Sequence, residues 1–364
     1  MTIGRVLRRT AGALAFAVLA FFALVPTGRY LVRAGWAEGK ILWRARPIAE
    51  LVRDSAMAAP TRRKLELVLA ARAFAADSVK LAAKQSFTTF SRFEHDTVVV
   101  VLTAAYQDRL AYKTWWFPIV GSVPYKGYFD VRDAKRAAAA LSRDGFDAYL
   151  RPATAFSTLG YLNDPLLSTT LDEDSVSLVN TVIHELTHNT FYASGQAVFN
   201  ESFANFAGAH GSEWFYAARA DSASVKLARA DWARQKTLGR FWSAVYNSVD
   251  SAFKAHPASK ADRLVAREIV FTSARDKFAR EIEPQLPGYD AQKPIALHLD
   301  NAVLMSRRMY RTGLDDFDAI YEREGSRLPA AIARIIELAK AHPKDPYAAV
   351  RAYVASGSAE APTK

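Results

Sequence analysis

The chain has 364 residues, half of them hydrophobic, with 48 Lys or Arg against 37 Asp or Glu and no cysteine. It has enough residues for one large core or two domains, and it excludes disulfides, a thiolate nucleophile and any cysteine-ligated metal. The charge of +11 is mostly N-terminal: residues 1–63 carry 11 basic and 3 acidic side chains, and the rest of the chain carries 37 and 34. That asymmetry points to an anionic membrane surface and gives no support to a nucleic-acid groove.

The first predicted element is a targeting segment. Arg5, Arg8 and Arg9 precede the apolar run Ala11–Val25. The run is short for a spanning helix and suits a signal-sequence core, but no small-x-small cleavage site follows. Residues 1–28 therefore read as an uncleaved signal anchor, with the rest of the chain outside the cytoplasmic membrane because positive charge precedes the run. A buried N-terminal helix of a soluble protein and an exported soluble form are the alternatives.

Residues 29–60 form a basic juxtamembrane stretch in which Tyr30, Leu31, Trp36, Ile41, Leu42 and Trp43 interleave with Arg29, Arg33, Lys40, Arg44 and Arg46. It reads as a helix along a membrane interface or as a connecting helix packed on the catalytic region. A helical pattern then runs from Pro60 to Lys84. Strands are expected at Val98–Leu102, Ala111–Phe117 and Ala148–Pro152, a turn-rich loop at Pro118–Tyr128, and a helix at Asp133–Arg143.

The chemistry concentrates between Asn180 and Gly208. His184-Glu185-Leu186-Thr187-His188 is an H-E-x-x-H. On a helix its two histidines lie one above the other, so both rings reach one metal ion, and Glu185 stands beside it as a base for a water. Val176, Val179, Ile183, Leu186 and Thr190 supply a packing face, Asp172, Glu173 and Asp174 suit the N-terminal dipole, and Gly195 is a plausible stop.

A catalytic zinc takes three protein ligands, and Glu201 of Asn200-Glu201-Ser202-Phe203-Ala204-Asn205 is the expected third. About two turns of helix carry the chain from His188 to Gly195, and residues Gln196–Asn200 are long enough to bring it back. Glu201 would then start an antiparallel helix, and Asn205 could support a ligand histidine from behind. His210 is the rival ligand, about two and a half turns further on.

Beyond Gly208 the pattern is almost wholly helical: Ser212–Ala220, Ser224–His256, Lys260–Ile282, His298–Arg311, Asp315–Glu324, Leu328–His342 and Pro346–Ala355. His95, His256, His298 and His342 lack ligand-like spacing, and residues 356–364 read as a frayed tail. The fold class is α+β, predominantly helical. The organisation expected is a catalytic region at 61–211 and a helical region at 212–355.

The sequences HELTH and NESFANF, with Trp115–Asp130, Phe156–Thr169, Arg46–Val52 and Leu299–Tyr310, resemble the predicted bacterial aminopeptidases, a membrane-associated family of zinc hydrolases with the gluzincin ligand pattern. The family often carries a lipid-modified cysteine near its start, and this chain has none. The resemblance implies a zincin-like fold with a small sheet above the H-E-x-x-H helix. Phe156–Leu162 is the candidate edge strand, and Tyr125, Tyr128 and Tyr161 are candidate donors to the transition state. Asn301 and Tyr310 lie where the resemblance returns, and both are expected to be ordinary packing residues.

The reading is a zinc-dependent peptidase with His184, His188 and Glu201 as ligands and Glu185 as base, acting on peptides. The aminopeptidase assignment comes from the resemblance, since no separate motif for a free amino terminus is present. A membrane-anchored envelope endoprotease and a non-catalytic scaffold with a vestigial site are the alternatives.

Overall fold

Two helices open the chain, α1 (Ile3–Leu24) and α2 (Pro26–Trp43), bent 82° apart. At the bend a side chain on Gly28 would lie 2.1 Å from the Phe21 carbonyl oxygen, so only glycine fits there. The computed structural model describes residues 3–92, 99–117, 121–153, 164–286 and 298–358. No single helix among them is long and apolar enough to cross a membrane; α1 and α2 reach that measure only as a bent pair. Ile41 of α2 packs on Val99, Val101 and Leu167, while Val32, Trp36 and Trp43 are exposed. The helix is thus a connector on one side and a free apolar stripe on the other.

The chain continues through β1 (Arg46–Pro47), α3 (Ile48–Leu51) and α4 (Ala59–Asp77). α4 ends well before the expected Lys84: Val79, Leu81 and Ala83 are buried beyond it, and Lys80 and Lys84 have φ of 67° and 44°, which a helix does not allow. Next come β2 (Thr89–Ser91), β3 (Val99–Tyr106), β4 (Trp115–Phe117), β5 (Gly121–Val123), β6 (Tyr125–Tyr128), α5 (Val131–Arg143), β7 (Phe146–Ala153) and β8 (Leu166–Leu167). The segment expected as a loop before Tyr128 holds two strands. β5 pairs with β4, and β6 pairs with β3. Phe156–Leu162 and Tyr161 lie outside the described residues.

The central sheet is antiparallel with the order β6-β3-β7. Its β3 core, Val99 to Ala105, is buried throughout, which explains a sequence that is apolar except for Thr103. Side chains alternate across it. Leu102 and Ala104 meet Leu141 of α5. On the other face, register places Tyr125 and Tyr149 on either side of Thr103, and Gly127 and Arg151 on either side of Val101.

The remaining elements are helices: α6 (Ser175–Thr190), α7 (Ala197–Ala217), α8 (Ser222–Ala255), α9 (Lys260–Lys277), a π-helical turn at Phe278–Ile282, α10 (Asn301–Met309), α11 (Leu314–Arg323), α12 (Leu328–Ala341) and α13 (Pro346–Ser358). The helix expected at Ser212–Ala220 is the end of α7, so the division expected between residues 211 and 212 falls inside a helix. One apolar core joins Leu65 and Val68 of α4 with Val179 and Ile183 of α6, Phe199 and Phe203 of α7, Phe317 of α11 and Ile335 of α12. It draws on both sides of residue 211.

A buried ion pair ties the sheet to the helices. Asp147 of β7 accepts from Arg267 of α9 at 2.8 Å and from the backbone N–H of Asn301 at 3.0 Å. The Asn301 side chain donates to the carbonyls of Tyr106 and Gln107, so its role is structural, as expected. Asp147→Ala leaves the buried Arg267 guanidinium with only the half-exposed Glu268, and should destabilise the fold by about 3 kcal/mol in urea unfolding. A loss below about 1 kcal/mol would mean that water already screens the pair.

Candidate functional site

α6 is built as a helix that ends at its chemistry. Asp174 caps it, accepting from Val176 N–H at 2.9 Å and Ser177 N–H at 3.0 Å. Val179, Val182, Ile183 and Leu186 are fully buried and fix the rotation that turns His184 and His188 to the same side. The helix stops at Thr190, two residues past His188, and not at Gly195. Gly195 (φ 74°) instead serves the turn into α7. Asn200 locks that turn: its side chain accepts from Ala193 N–H and donates to Ala193 C=O, both at 2.8 Å. Glu201 consequently lies in the second turn of α7 and does not begin it.

α6 and α7 approach each other through glycine. A Cβ on Gly208 would stand 2.4 Å from the Asn180 side-chain oxygen and 2.9 Å from its backbone oxygen. One on Gly211 would stand 2.8 Å from Ile183. Only hydrogen on both glycines lets the helices sit this close, and that closeness brings Glu201 level with the histidines.

The Glu201 Oε2 lies 3.5 Å from His184 Nε2 and 3.7 Å from His188 Nε2. One ligand atom from each of the three residues lies within 4.8 Å of the other two. These separations are long for hydrogen bonds. They match a tetrahedral ion, whose ligand atoms at about 2.0–2.2 Å stand about 3.3–3.6 Å apart. His188 and Glu201 are buried. Burial opposes ionisation of Glu201, but the two imidazoles outweigh it and hold its carboxyl well below the usual range. Burial likewise opposes a charge on His188, and Glu201 reverses that, raising its pKa. Beside them Glu185 Oε2 is buried with no hydrogen-bond partner among the described residues. Two imidazoles, one carboxylate and a second, unsatisfied carboxylate form a donor set that fits a zinc-like cation.

His210, the rival ligand, is engaged elsewhere. Its Nε2 lies 2.9 Å from Asp318, which also accepts from Trp232 and Lys236. Burial disfavours the Asp318 carboxylate, but His210 and Lys236 hold its pKa below the usual value. A lowered folded pKa contributes stability above the unfolded carboxylate value, lost as pH falls through the folded one. Asp318→Asn should therefore flatten the acid side of the stability-against-pH curve. An unchanged slope below pH 5 would refute that.

The tyrosine candidates separate. Tyr125 and Tyr128 are three apart on β6 and face opposite ways. Tyr128 packs with Tyr30 and the α5 side, so the structure does not bring this candidate to the histidines. Tyr125 lies within electrostatic reach of Glu201, Tyr192, Tyr310 and Arg151. Asn205 makes no hydrogen bond to a histidine among the described residues; its side chain donates to the Tyr310 carbonyl at 2.9 Å. Ser202 accepts from Thr312 N–H and donates to the Met309 carbonyl. The polar residues flanking Glu201 therefore hold the turn after α10 in place.

That turn delivers Tyr310, expected to be an ordinary packing residue. Its ring centre is 6.2 Å from that of His184, and its hydroxyl accepts from Arg151 at 2.7 Å. Burial, reinforced by Glu201, raises its pKa far above that of an ordinary phenol. Tyr192, just past α6, lies with its ring centre 6.2 Å from His188. Neither Tyr310 nor Arg151 carries a local sequence signal of chemistry.

A family model described as "Putative aminopeptidase" matches residues 29–349. No curated protein and no solved structure gives a significant match.

Helix propensity alone favours Ala over Gly at 208 by about 1 kcal/mol. Contact with Asn180 reverses the sign. Gly208→Ala should destabilise the protein by about 1–3 kcal/mol and weaken metal binding, although residue 208 touches no ligand. Metal titration beside Glu201→Ala, the ligand-loss control, tests this; wild-type affinity in Gly208→Ala would refute the close-approach argument.

Proposed function

The chain belongs to this aminopeptidase family, and from that premise we propose that it is a zinc-dependent peptidase of the aminopeptidase kind, hydrolysing peptide bonds. The observation that carries the proposal is the convergence of His184, His188 and Glu201, with the Glu185 Oε2 atom buried beside them and without a hydrogen-bond partner among the described residues. These three residues would hold the zinc as a gluzincin-like set, in a zincin-like arrangement with the β6-β3-β7 sheet over α6. Bound there, zinc would supply Lewis acidity toward the scissile carbonyl and the attacking water.

The protein's own groups then divide the work. Glu185 takes the proton from the attacking water and passes it to the leaving amine. Its unpaired oxygen suits that task, because no neighbour among the described residues competes for it. The Tyr310 oxygen accepts from Arg151, and its own proton has no acceptor among the described residues. That proton is available to the carbonyl oxygen as negative charge develops on it. Asn205 and Ser202 fix the backbone from which Tyr310 projects. Tyr125 is a second donor on the same side.

In this proposal residues 1–28 anchor the chain in the inner membrane and residues 29–60 lie between it and the catalytic region on the periplasmic side. The exposed Trp36 and Trp43 of α2, with Arg29, Arg33 and Arg44 among them, support that placement.

Glu185→Gln should retain zinc and lose about 10²–10⁴-fold in turnover. Tyr310→Phe should retain zinc and lose about 10²–10³-fold in kcat with little change in KM. Metal analysis and steady-state kinetics on the full-length protein check both. Undiminished turnover in Glu185→Gln would sink the mechanism.

A further inference from the structure

Arg151 is a cation near the candidate site with no acid of its own. It projects from β7 on the face that carries Tyr125 and Tyr149, with Val101 of β3 as its cross-strand neighbour. Its guanidinium donates to the Tyr310 hydroxyl, and the guanidinium carbon lies 5.3 Å from the Tyr310 ring centre. No carboxylate pairs with it among the described residues. The contrast with Arg267, which enters the same sheet from α9, is direct: Arg267 has both Asp147 and Glu268.

A half-buried guanidinium cannot shed its proton, so it calls for an anion. The acid whose charge reaches Arg151 is Glu201, and Glu201 already faces two histidines. What is left is a planar fork of donors suited to a carboxylate. Arg151 is one tyrosine away from the metal-binding histidines, since Tyr310 touches it and stands 6.2 Å from His184. An extended chain advances about 3.3–3.6 Å per residue, so an anion held by Arg151 belongs to the first or second residue past the scissile bond.

We infer that Arg151 binds the α-carboxylate of the peptide substrate just beyond the cleaved bond, which makes this a site for very short peptides with a free C-terminus. The inference rests on the peptidase reading and narrows its substrate class. The Tyr310 hydroxyl stays free for the carbonyl oxygen, because Arg151 approaches it as donor.

Binding tests the inference apart from catalysis. Full-length, zinc-loaded Glu185→Gln protein is titrated calorimetrically with Ala-Ala, Ala-Ala-amide and Ala-Asp-amide. Ala-Ala should bind about tenfold or more tightly than either amide. Adding Arg151→Met should bring Ala-Ala down to the level of Ala-Ala-amide at unchanged zinc content. Arg151→Lys, which keeps the charge and loses the fork, should keep part of the preference and guards against a folding loss. Equal binding of Ala-Ala and Ala-Ala-amide, or a preference that survives Arg151→Met, overturns the inference. Ala-Asp-amide binding as tightly as Ala-Ala overturns the α-carboxylate assignment. Failure of the peptidase reading appears separately, as the absence of Glu185-dependent hydrolysis in the parent protein.

Discussion

The close approach of α6 and α7 is the constraint on which the rest of the site depends. Two histidines on one helix can present their rings to an ion, but a third ligand must come from elsewhere, and it must arrive within a few ångströms. Gly208 and Gly211 remove the Cβ atoms that would hold the helices apart at Asn180 and Ile183. The turn between them is locked by the paired hydrogen bonds of Asn200 with Ala193, which fixes where α7 begins and so which residue faces the histidines. Leu178, Val179 and Ile183 pack the other sides of α6, so the ligand face has no freedom to rotate.

Helix α7 then organises the wall opposite the histidines. Along Asn200-Glu201-Ser202-Phe203-Ala204-Asn205, Asn200 holds the turn, Glu201 meets the histidines, Phe203 enters the core, and Ser202 and Asn205 hold the backbone around Tyr310. The sheet completes the arrangement from its own side. Its alternation sends Tyr125 and Arg151 toward Tyr310 and Glu201, and Tyr128 toward α5. The Asp147–Arg267–Asn301 cluster ties that sheet to α9 and α10, which sets the height at which Arg151 can reach Tyr310.

Buried charge in this region is strongly unequal. Asp147 and Asp318 each face a cation, and Glu201 faces two imidazoles. Glu185 and Arg151 are left without ionic partners among the described residues. Structural ion pairs stabilise by being complete. An unpaired buried oxygen carries a desolvation cost, so Glu185 Oε2 beside the histidines marks this corner as a place for chemistry.

Part of this was legible in the sequence because it is local. H-E-x-x-H at helical spacing, the acid cluster at its start and the apolar face identify α6, and a chain reversal of the right length puts Glu201 opposite the histidines. The mostly helical second half follows from periodicity alone. The structure departs from the sequence reading where a nonlocal partner decides: the end of α6 at Thr190 and the pairing that makes β5 and β6 strands; His210, the rival ligand, has its ring taken by Asp318 from α11. Tyr310 and Arg151 are 159 positions apart and Asn205 and Tyr310 105, so no window of sequence contains both partners. The sequence by itself determined that His184, Glu185, His188 and Glu201 come together, because helix geometry and chain reach are local properties. The tertiary structure alone decided which tyrosine and which cation stand beside that set, because that depends on how sheet and helices pack across the whole chain.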